Sequence, residues 1–231
     1  MKILVTGGRG FIGTHLIKRL EEDKHEVLCL DAVDGYNIMS KGHMSEFFNQ
    51  KPEIVIHLAA QTSVSESFRK SYKYFMNNAV GTYKVVDYSN VSKSVRRVVY
   101  AATAASLERY SSPYAFSKWM GEESLNMCDK ETVALRFFNI VGAGQNKNYL
   151  GVVPRFKEFI KRGSSLTIYG DGEQTRDFVA VEDVVEAIVL AMTAPLDDKH
   201  LSFEIGSGNA ITINALAKKL IRTKTHIKIS Y

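Results

Sequence analysis

Cysteine is scarce in this chain, represented only by Cys29 and Cys128. Neither stands in a CxxC pair or at metal-ligand spacing, which excludes a disulfide scaffold, a zinc module and a dithiol redox centre. Both are expected to be buried, reduced thiols. Long apolar runs are also missing: none approaches the ~20 residues needed to span a bilayer. The N-terminal Met1-Lys2-Ile3-Leu4-Val5 passes straight into glycines, without the longer apolar stretch and cleavage site of a signal peptide. A soluble, cytoplasmic protein with no membrane partner is therefore expected. The net charge of +5 is scattered, and its densest group, Lys93, Arg96 and Arg97, reads as a solvated helix end. Without a basic stripe or recognition motif, nucleic acid is not an expected partner. Repeats, low-complexity tracts and linkers are absent too.

What is present is an ordinary globular composition, 45% hydrophobic and 24% charged, in a length of 231 residues that suits one large domain or a domain with a small appendage. Strand-like runs at 2–6, 26–31, 54–58, 97–101 and 132–136 alternate with helix-like segments near 11–22, 43–50, 69–92 and 113–128. This alternation predicts a parallel sheet built from right-handed βαβ units. The first strands lack period-2 alternation, as expected when both faces are covered. After Arg136 the pattern changes. Residues 137–144 read as a loop, 153–162 and 213–221 as helices, and 166–169, 177–181 and 203–206 as short strands, with a further helix at 184–193. The division expected is a first domain over 1–136 and a small lobe over 137–231, interleaved rather than independent.

The first strand opens onto Thr6-Gly7-Gly8-Arg9-Gly10-Phe11-Ile12-Gly13, followed by a helix. Its GxxGxxG spacing calls for Gly7 in the tight turn, Gly10 where backbone N–H groups approach a pyrophosphate, and Gly13 at a close helix contact. The helix N-terminus adds partial positive charge. The second strand ends in Asp31, 18 residues beyond Gly13. A carboxylate there accepts hydrogen bonds from the ribose hydroxyls and repels a 2′-phosphate, which favours NAD over NADP.

Further along, Ser112-Pro113-Tyr114-Ala115-Phe116-Ser117-Lys118 contains a YxxxK. Proline suits a first helical turn, so Tyr114 and Lys118 lie one turn apart on one face. An ammonium beside a phenol favours the phenolate, which makes Tyr114 a candidate base. Alone such a pair is more often a surface contact; behind a dinucleotide turn the catalytic reading gains. The strand before it ends in Ala102-Thr103-Ala104-Ala105, small residues at the edge where open α/β sheets place ligands. Thr103 is placed to hydrogen-bond a reacting hydroxyl, with a capping role as the alternative.

With these motifs in hand, the chain resembles the extended short-chain dehydrogenase/reductases, in the nucleotide-sugar epimerase/dehydratase branch. The resemblance runs from Met1 to about Ile221. It rests on Thr6–Gly13, His57-Leu58-Ala59-Ala60-Gln61, Asn78-Ala79-Val80-Gly81-Thr82, Tyr114–Lys118, Arg136-Phe137-Phe138-Asn139, Gly170-Asp171-Gly172 with Arg176-Asp177-Phe178, and Phe203-Glu204-Ile205-Gly206-Ser207-Gly208. It implies a Rossmann-type doubly wound parallel sheet with a small C-terminal substrate lobe. It also implies catalytic roles for Thr103, Tyr114 and Lys118, and an NAD site formed by Gly7, Gly10, Phe11, Ile12, Gly13, Asp31, Ala59, Asn78, Tyr114, Lys118 and Phe137. Asn78 is expected to support the geometry, and Phe137 to lie at the nicotinamide end. The substrate contacts implied are Thr103, Asn139, Tyr169 against the base, and Arg176 on the diphosphate, a role suited to a guanidinium. An exposed salt bridge from Arg176 to Asp177 or Glu173 is the blander alternative. His57 is read as structural, and no metal site is expected.

The activity implied is NAD-dependent epimerisation of a nucleotide sugar, with UDP-sugars favoured. Tyr114 takes a hydroxyl proton as hydride moves to NAD, and the keto-sugar turns over before hydride returns. Dehydratases of this family carry an Asp-Glu pair after the catalytic threonine, where this chain has Ala104-Ala105. A keto-sugar reductase or dehydrogenase, and a non-catalytic dinucleotide-binding protein, remain alternatives. The chain departs from the family in three places. Ten residues separate Thr103 from Tyr114, and 22 separate Asp31 from Ile54, compressing a helix and strand into Ala32–Ile38. The chain also stops at Tyr231, before the C-terminal segment that in the family completes the substrate lobe and supplies another phosphate-binding arginine. A smaller sheet, an open sugar site and weak, salt-sensitive binding are expected. The resemblance also implies a homodimer through helices 69–92 and 113–128, with Phe75, Ala79, Val86, Trp119, Met120, Leu125 and Met127 as its apolar set.

Overall fold

The structure is a computed structural model that describes residues 1–145, 151–222 and 227–231. Two compact units are present: Met1–Phe137 with Val181–Ile205, and Phe138–Ala180 with Gly206–Tyr231.

The first unit begins with β1 (Lys2–Thr6), α1 (Phe11–Glu22), β2 (Glu26–Leu30), α2 (Lys41–Phe48) and β3 (Ile54–His57). The helices α3 (Val64–Arg69), α4 (Ser71–Tyr74) and α5 (Gly81–Val91) lead to β4 (Arg97–Thr103), α6 (Pro113–Glu123) and β5 (Glu131–Phe137). Six strands form one parallel sheet in the order β2-β1-β3-β4-β5-β9, where β9 is His200–Ile205. The chain winds outward from β1 to β2 and then crosses back to β3, so the topological switch lies between β1 and β3, where open sheets bind ligands. Ile3, Leu4, Val5, Ile54, Val55 and Ile56 have no solvent exposure, which explains their unbroken apolar runs. On one face Leu4, Val55 and Val98 pack under Met44, Phe47, Phe48, Val85 and Val86. Each such side chain contributes about 1.5–3 kcal/mol of burial.

Helix 69–92 departs from its uninterrupted prediction. It consists of α4, a π-helical stretch (Phe75–Val80) and α5, with α3 a separate helix ending at Arg69. The wide turn coincides with a side-chain bond into the helix ladder, from Thr82 Oγ1 to the Asn78 carbonyl at 2.5 Å. Beyond β2 the compressed segment is a single 3₁₀ turn (Ala32–Asp34), and among the described residues no strand lies outside β2.

The second unit contains β6 (Asn139–Val141), α7 (Val152–Arg162), β7 (Leu166–Thr167), β8 (Thr175–Ala180), β10 (Ala210–Thr212), α9 (Ile213–Ile221) and β11 (Ile229–Ser230). Its strands pair as β10-β8-β6 and as β11-β7. Val153, Phe156, Leu166, Ile168, Ile213, Leu216 and Ala217 form its core. The loop expected at 137–144 therefore contains a strand, β6, whose three residues are too few to show a period. The units also divide differently from a boundary at 136/137. Helix α8 (Val181–Thr193) and β9 return to the first unit, because β9 extends the parallel sheet beside β5.

Candidate active site

The glycine turn connects β1 to α1 at the switch between β1 and β3. Gly7 has φ +76°, and its N–H donates to the Leu30 carbonyl at 2.9 Å. A Cβ on Gly7 would lie 2.6 Å from the Ala59 nitrogen, and one on Gly13 would lie 2.5 Å from the Gly7 carbonyl oxygen. Both glycines are required by backbone packing. Gly10 is different: it is exposed, and its Cβ would meet only the Gly7 carbonyl, at 3.2 Å. It caps α1 without a side-chain hydrogen bond, so Phe11 and Ile12 begin a helix whose positive end is open to an anion.

Asp31 is almost buried at the end of β2, where its two carboxylate oxygens accept the N–H groups of Arg9 and Val33, each at 2.9 Å. Each oxygen keeps a further lone pair for a ribose hydroxyl. The Arg9 guanidinium turns away to Asp34, its Nε 2.7 Å from Oδ2. These residues fit the pyrophosphate and ribose of a dinucleotide: a backbone cradle a Cβ would narrow, a free helix end and a fixed carboxylate.

Asn78 sits inside the π-helical stretch with 1% exposure. Its Oδ1 accepts the Gln61 N–H at 2.8 Å and the Asn77 amide at 3.1 Å. Its Nδ2 donates to the Gln61 carbonyl at 2.9 Å and to Ser117 Oγ at 3.0 Å. That spends the hydrogen-bonding capacity of the amide within the protein. Asn78 thus braces the segment after β3 against α6, where Ser117 Oγ in turn donates to the Tyr114 carbonyl at 2.8 Å.

Helix α6 starts with Ser112, whose Oγ accepts the Ala115 N–H at 3.1 Å, and with Pro113 in its first turn. Tyr114 is half-buried, its ring edge-on to Tyr74 at 6.5 Å. One turn later Lys118 is buried. Its Nζ donates to the Ala101 carbonyl at 2.6 Å and lies 4.1 Å from the centre of the Tyr100 ring. Burial pulls the Lys118 ammonium down to about 7, against the opposing pull of the Glu122 carboxylate. Burial also pushes the Tyr100 phenol far above its ordinary range.

His57 lies between Thr6 Oγ1, at 2.6 Å from Nδ1, and Thr82 Oγ1, at 3.0 Å from Nε2. Thr82 gives its own proton to the Asn78 carbonyl, so Nε2 carries the imidazole proton and Nδ1 accepts from Thr6. Burial, with the nearby Lys118 charge, holds His57 down at about 3, and the ring is neutral. Its environment is that of a structural cross-link.

Thr103 ends β4 and caps the 3₁₀ turn Ala104–Glu108, its Oγ1 accepting the Ala105 N–H at 3.3 Å. The capping alternative is thus realised, yet it uses the hydroxyl as an acceptor and leaves its proton available. Phe137 pairs in register with Thr103 and is buried at the end of β5. The short segment before α6 is held by its own side chains. The Arg109 guanidinium lies 5.1 Å from the Tyr110 ring and 5.0 Å from the Trp119 ring, and Tyr110 stacks on Phe116 at 6.1 Å.

In the second unit Asn139 opens β6 and donates to the Asp177 carbonyl at 3.1 Å. Arg176, in β8, is exposed and donates to the Thr175 carbonyl at 2.7 Å. It makes no ion pair among the described residues, because both candidate acids are engaged elsewhere. Asp177 accepts from the Ser207 hydroxyl at 2.6 Å and from the Ser207 and Gly208 N–H groups at 2.9 Å, and Glu173 accepts from Asn214 at 2.6 Å. Burial pushes the Asp177 carboxyl up, but those hydrogen bonds outweigh it and hold the group below its ordinary value. Tyr169 shows an exposed ring with the Arg155 guanidinium 5.2 Å from its centre. No sequence signal marked Arg155, nor the buried carboxylate Glu122 on α6. Metal-binding clusters of His, Cys, Asp or Glu are absent among the described residues, and no described helix is long and apolar enough to cross a membrane.

Known proteins share this fold. The chain is 33% identical over 232 residues to the UDP-glucose 4-epimerase of Mycolicibacterium smegmatis, covering 83% of this chain and 73% of that protein. The UDP-glucose 4-epimerase of Thermotoga maritima, solved with UDP-glucose, superposes with a TM-score of 0.89 at 30% identity, covering 100% of this chain and 85% of that one. The enzyme of Thermus thermophilus, solved with NAD, superposes with a TM-score of 0.88 at 26% identity over 100% and 86% of the two chains. The profile of the NAD dependent epimerase/dehydratase family matches residues 3–206, and this chain, with its Rossmann-like sheet and glycine turn, belongs to that family.

Proposed function

We propose that the chain is an NAD-dependent nucleotide-sugar epimerase that inverts C4 of a UDP-hexose. The observation carrying this reading is the buried Lys118 ammonium, anchored on the Ala101 carbonyl at the ligand-bearing end of β4, one turn from Tyr114. Bound NAD supplies a reversible hydride acceptor for the sugar carbon. Tyr114 is the base: it removes the proton of the C4 hydroxyl and, once the keto-sugar has turned over, returns it to the same oxygen as C4 regains its hydride on the opposite face. Lys118 stabilises the phenolate electrostatically. The Thr103 proton orients the reacting oxygen. Gly7, Gly10, Gly13, Phe11 and Ile12 receive the dinucleotide pyrophosphate, and Asp31 its ribose. Ala59 and Phe137 line the cofactor, and Asn78 fixes the segment between them.

Asn139, Tyr169 and Arg176 hold the nucleotide diphosphate. Support for Arg176 is its freedom from Asp177 and Glu173, and for Tyr169 its exposed ring, on which a base can stack. Ala104 and Ala105 provide no acid or base, which disfavours elimination of water. Incubation of the purified protein with NAD and a panel of UDP-hexoses tests the reading. C4-epimerised product without net NADH is expected; stoichiometric NADH would instead make it a dehydrogenase.

A homodimer through the α3–α5 segment and α6 belongs to the same reading. The apolar set divides: Ala79, Val86 and Leu125 are core, Trp119 and Met120 are half-buried, and Phe75 and Met127 are exposed, as are Tyr72 and Tyr83. Sedimentation at micromolar concentration measures the mass. A cytoplasmic location accords with two unpaired thiols, Cys29 and Cys128.

A further inference from the structure

We propose that Glu122 is a positioning residue for the epimerase reaction: it anchors the turn that carries Thr103 and sets a fixed negative charge one helical turn behind Lys118. This inference rests on the roles given above to Thr103, Tyr114 and Lys118. Tyr114, Lys118 and Glu122 follow one another at four-residue spacing along α6, so the carboxylate extends the catalytic face by a turn. Glu122 is 7% exposed. Oε1 takes Arg136 Nε at 2.8 Å, Arg136 Nη2 at 2.7 Å and the Ser202 hydroxyl at 3.1 Å. Oε2 faces the Ser106 hydroxyl at 3.3 Å. That same hydroxyl reaches the Thr103 carbonyl at 2.6 Å. Its single proton forms a three-centre bond that ties the end of β4 to α6.

A buried ion pair is a weak source of stability, since apolar residues of similar volume commonly do as well. Here the pair connects both halves of the proton-transfer machinery. Arg136 precedes Phe137 on β5 and pairs in register with Ala102, next to Thr103. Lys118 lies against the Tyr100 ring of β4, acts on the neutral His57 of β3, and shares its helix face with Tyr114 and Glu122. Among the described residues Glu122 is the one carboxylate acting on the ammonium, and it opposes the effect of burial. Facing Glu122 is Arg136, which also feels Glu204 and Glu123. Removing the Glu122 charge therefore leaves burial unopposed, and Lys118 loses its proton at lower pH.

The test uses the NAD-loaded enzyme and follows kcat, KM and the pH profile of epimerisation in Glu122→Gln and Ser106→Ala. For Glu122→Gln, kcat is expected to fall roughly tenfold, with KM for the UDP-sugar changed by less than about twofold and the limb for loss of the ammonium moved about one unit to lower pH. Ser106→Ala keeps the charges, so its kcat falls while that limb stays in place. Wild-type kcat and an unmoved limb in Glu122→Gln overturn the proposal; so does a rate loss that parallels lost NAD content with the limb unmoved. Should Glu122→Gln fail to fold because Arg136 is left unpaired, Glu122→Gln with Arg136→Met carries the same expectation. Tyr114→Phe is the control for the underlying reading, which fails if that variant turns over normally whatever Glu122 does.

Discussion

The Lys118 ammonium is buried against the Ala101 carbonyl, 2.6 Å away, at the end of the central strand β4. A charge in that position destabilises the fold and serves chemistry. Its folded value, about 7, lies below the ordinary lysine value of 10.5. Between these two values the unfolded chain binds more protons than the native one, so stability rises with pH across that window. Below about 7 the cost of keeping the ammonium buried is present in full. Lys118→Met is therefore expected to abolish epimerisation and to raise Tm, with the larger gain at pH 6 than at pH 10. Thermal unfolding at the two pH values measures it, and a Tm lowered equally at both would contradict the assignment.

The glycine turn allows a separation of fold from ligand. Gly13→Ala drives a Cβ to 2.5 Å from a backbone oxygen, and overpacking of that kind costs about 1–3 kcal/mol. Gly10→Ala meets only the 3.2 Å contact and needs no unusual φ, so its Tm is expected to stay close to wild type. It should nevertheless bind NAD at least about tenfold more weakly, the equivalent of one lost hydrogen bond of ~1.4 kcal/mol. Calorimetric titration of NAD beside thermal melts separates the two variants. Equal losses of Tm would show that Gly10 is a packing glycine after all.

The sheet and its glycine turn were legible because their causes are local. Ile3–Val5 and Ile54–Ile56 read as strands since both faces are covered, and Gly7 and Gly13 are fixed by backbone contacts that recur wherever this turn is built. The π-helical stretch was not legible. It coincides with the Thr82 bond to the Asn78 carbonyl and places Asn78 against Gln61 and Ser117, residues 17 and 39 positions away, contacts that no local pattern announces. Glu122 escaped for a similar reason: in sequence it is an ordinary helix-surface glutamate, and only Arg136, Ser106 and Ser202, drawn from three other segments, make it a buried one. Helix α8 and β9 were misplaced because nothing in their own pattern states that β9 pairs with β5.

Asp31 offers a test of cofactor choice. Its carboxylate is held by the N–H groups of Arg9 and Val33 and presents its remaining lone pairs at the end of β2. Hydrogen bonds to a charged group contribute about 1.5–3 kcal/mol, so Asp31→Ala should weaken NAD binding by roughly 10- to 100-fold. The same change removes the repulsion of a 2′-phosphate, while the Arg9 guanidinium stays on Asp34. NADP binding should therefore change far less than NAD binding, and titration of both cofactors against the purified protein compares them. Unaltered preference in Asp31→Ala would place the discrimination elsewhere.

Arg176 is the corresponding test in the second unit. Its guanidinium makes no ion pair among the described residues, since Asp177 is occupied by Ser207 and Gly208 and Glu173 by Asn214. Removing it leaves no carboxylate stranded, so Arg176→Ala should keep the Tm and the NAD affinity of the parent. If the group binds the diphosphate, the loss of a charge-assisted contact of about 1.5–3 kcal/mol raises KM for the UDP-sugar roughly 10- to 100-fold. Lysine at this position restores the charge but not the fork, and should recover only part of the loss. Added salt should weaken the parent more than Arg176→Ala, because the screened attraction is already gone from the variant. A KM that matches the parent in Arg176→Ala at low salt would remove Arg176 from the substrate site and leave it a surface residue of β8.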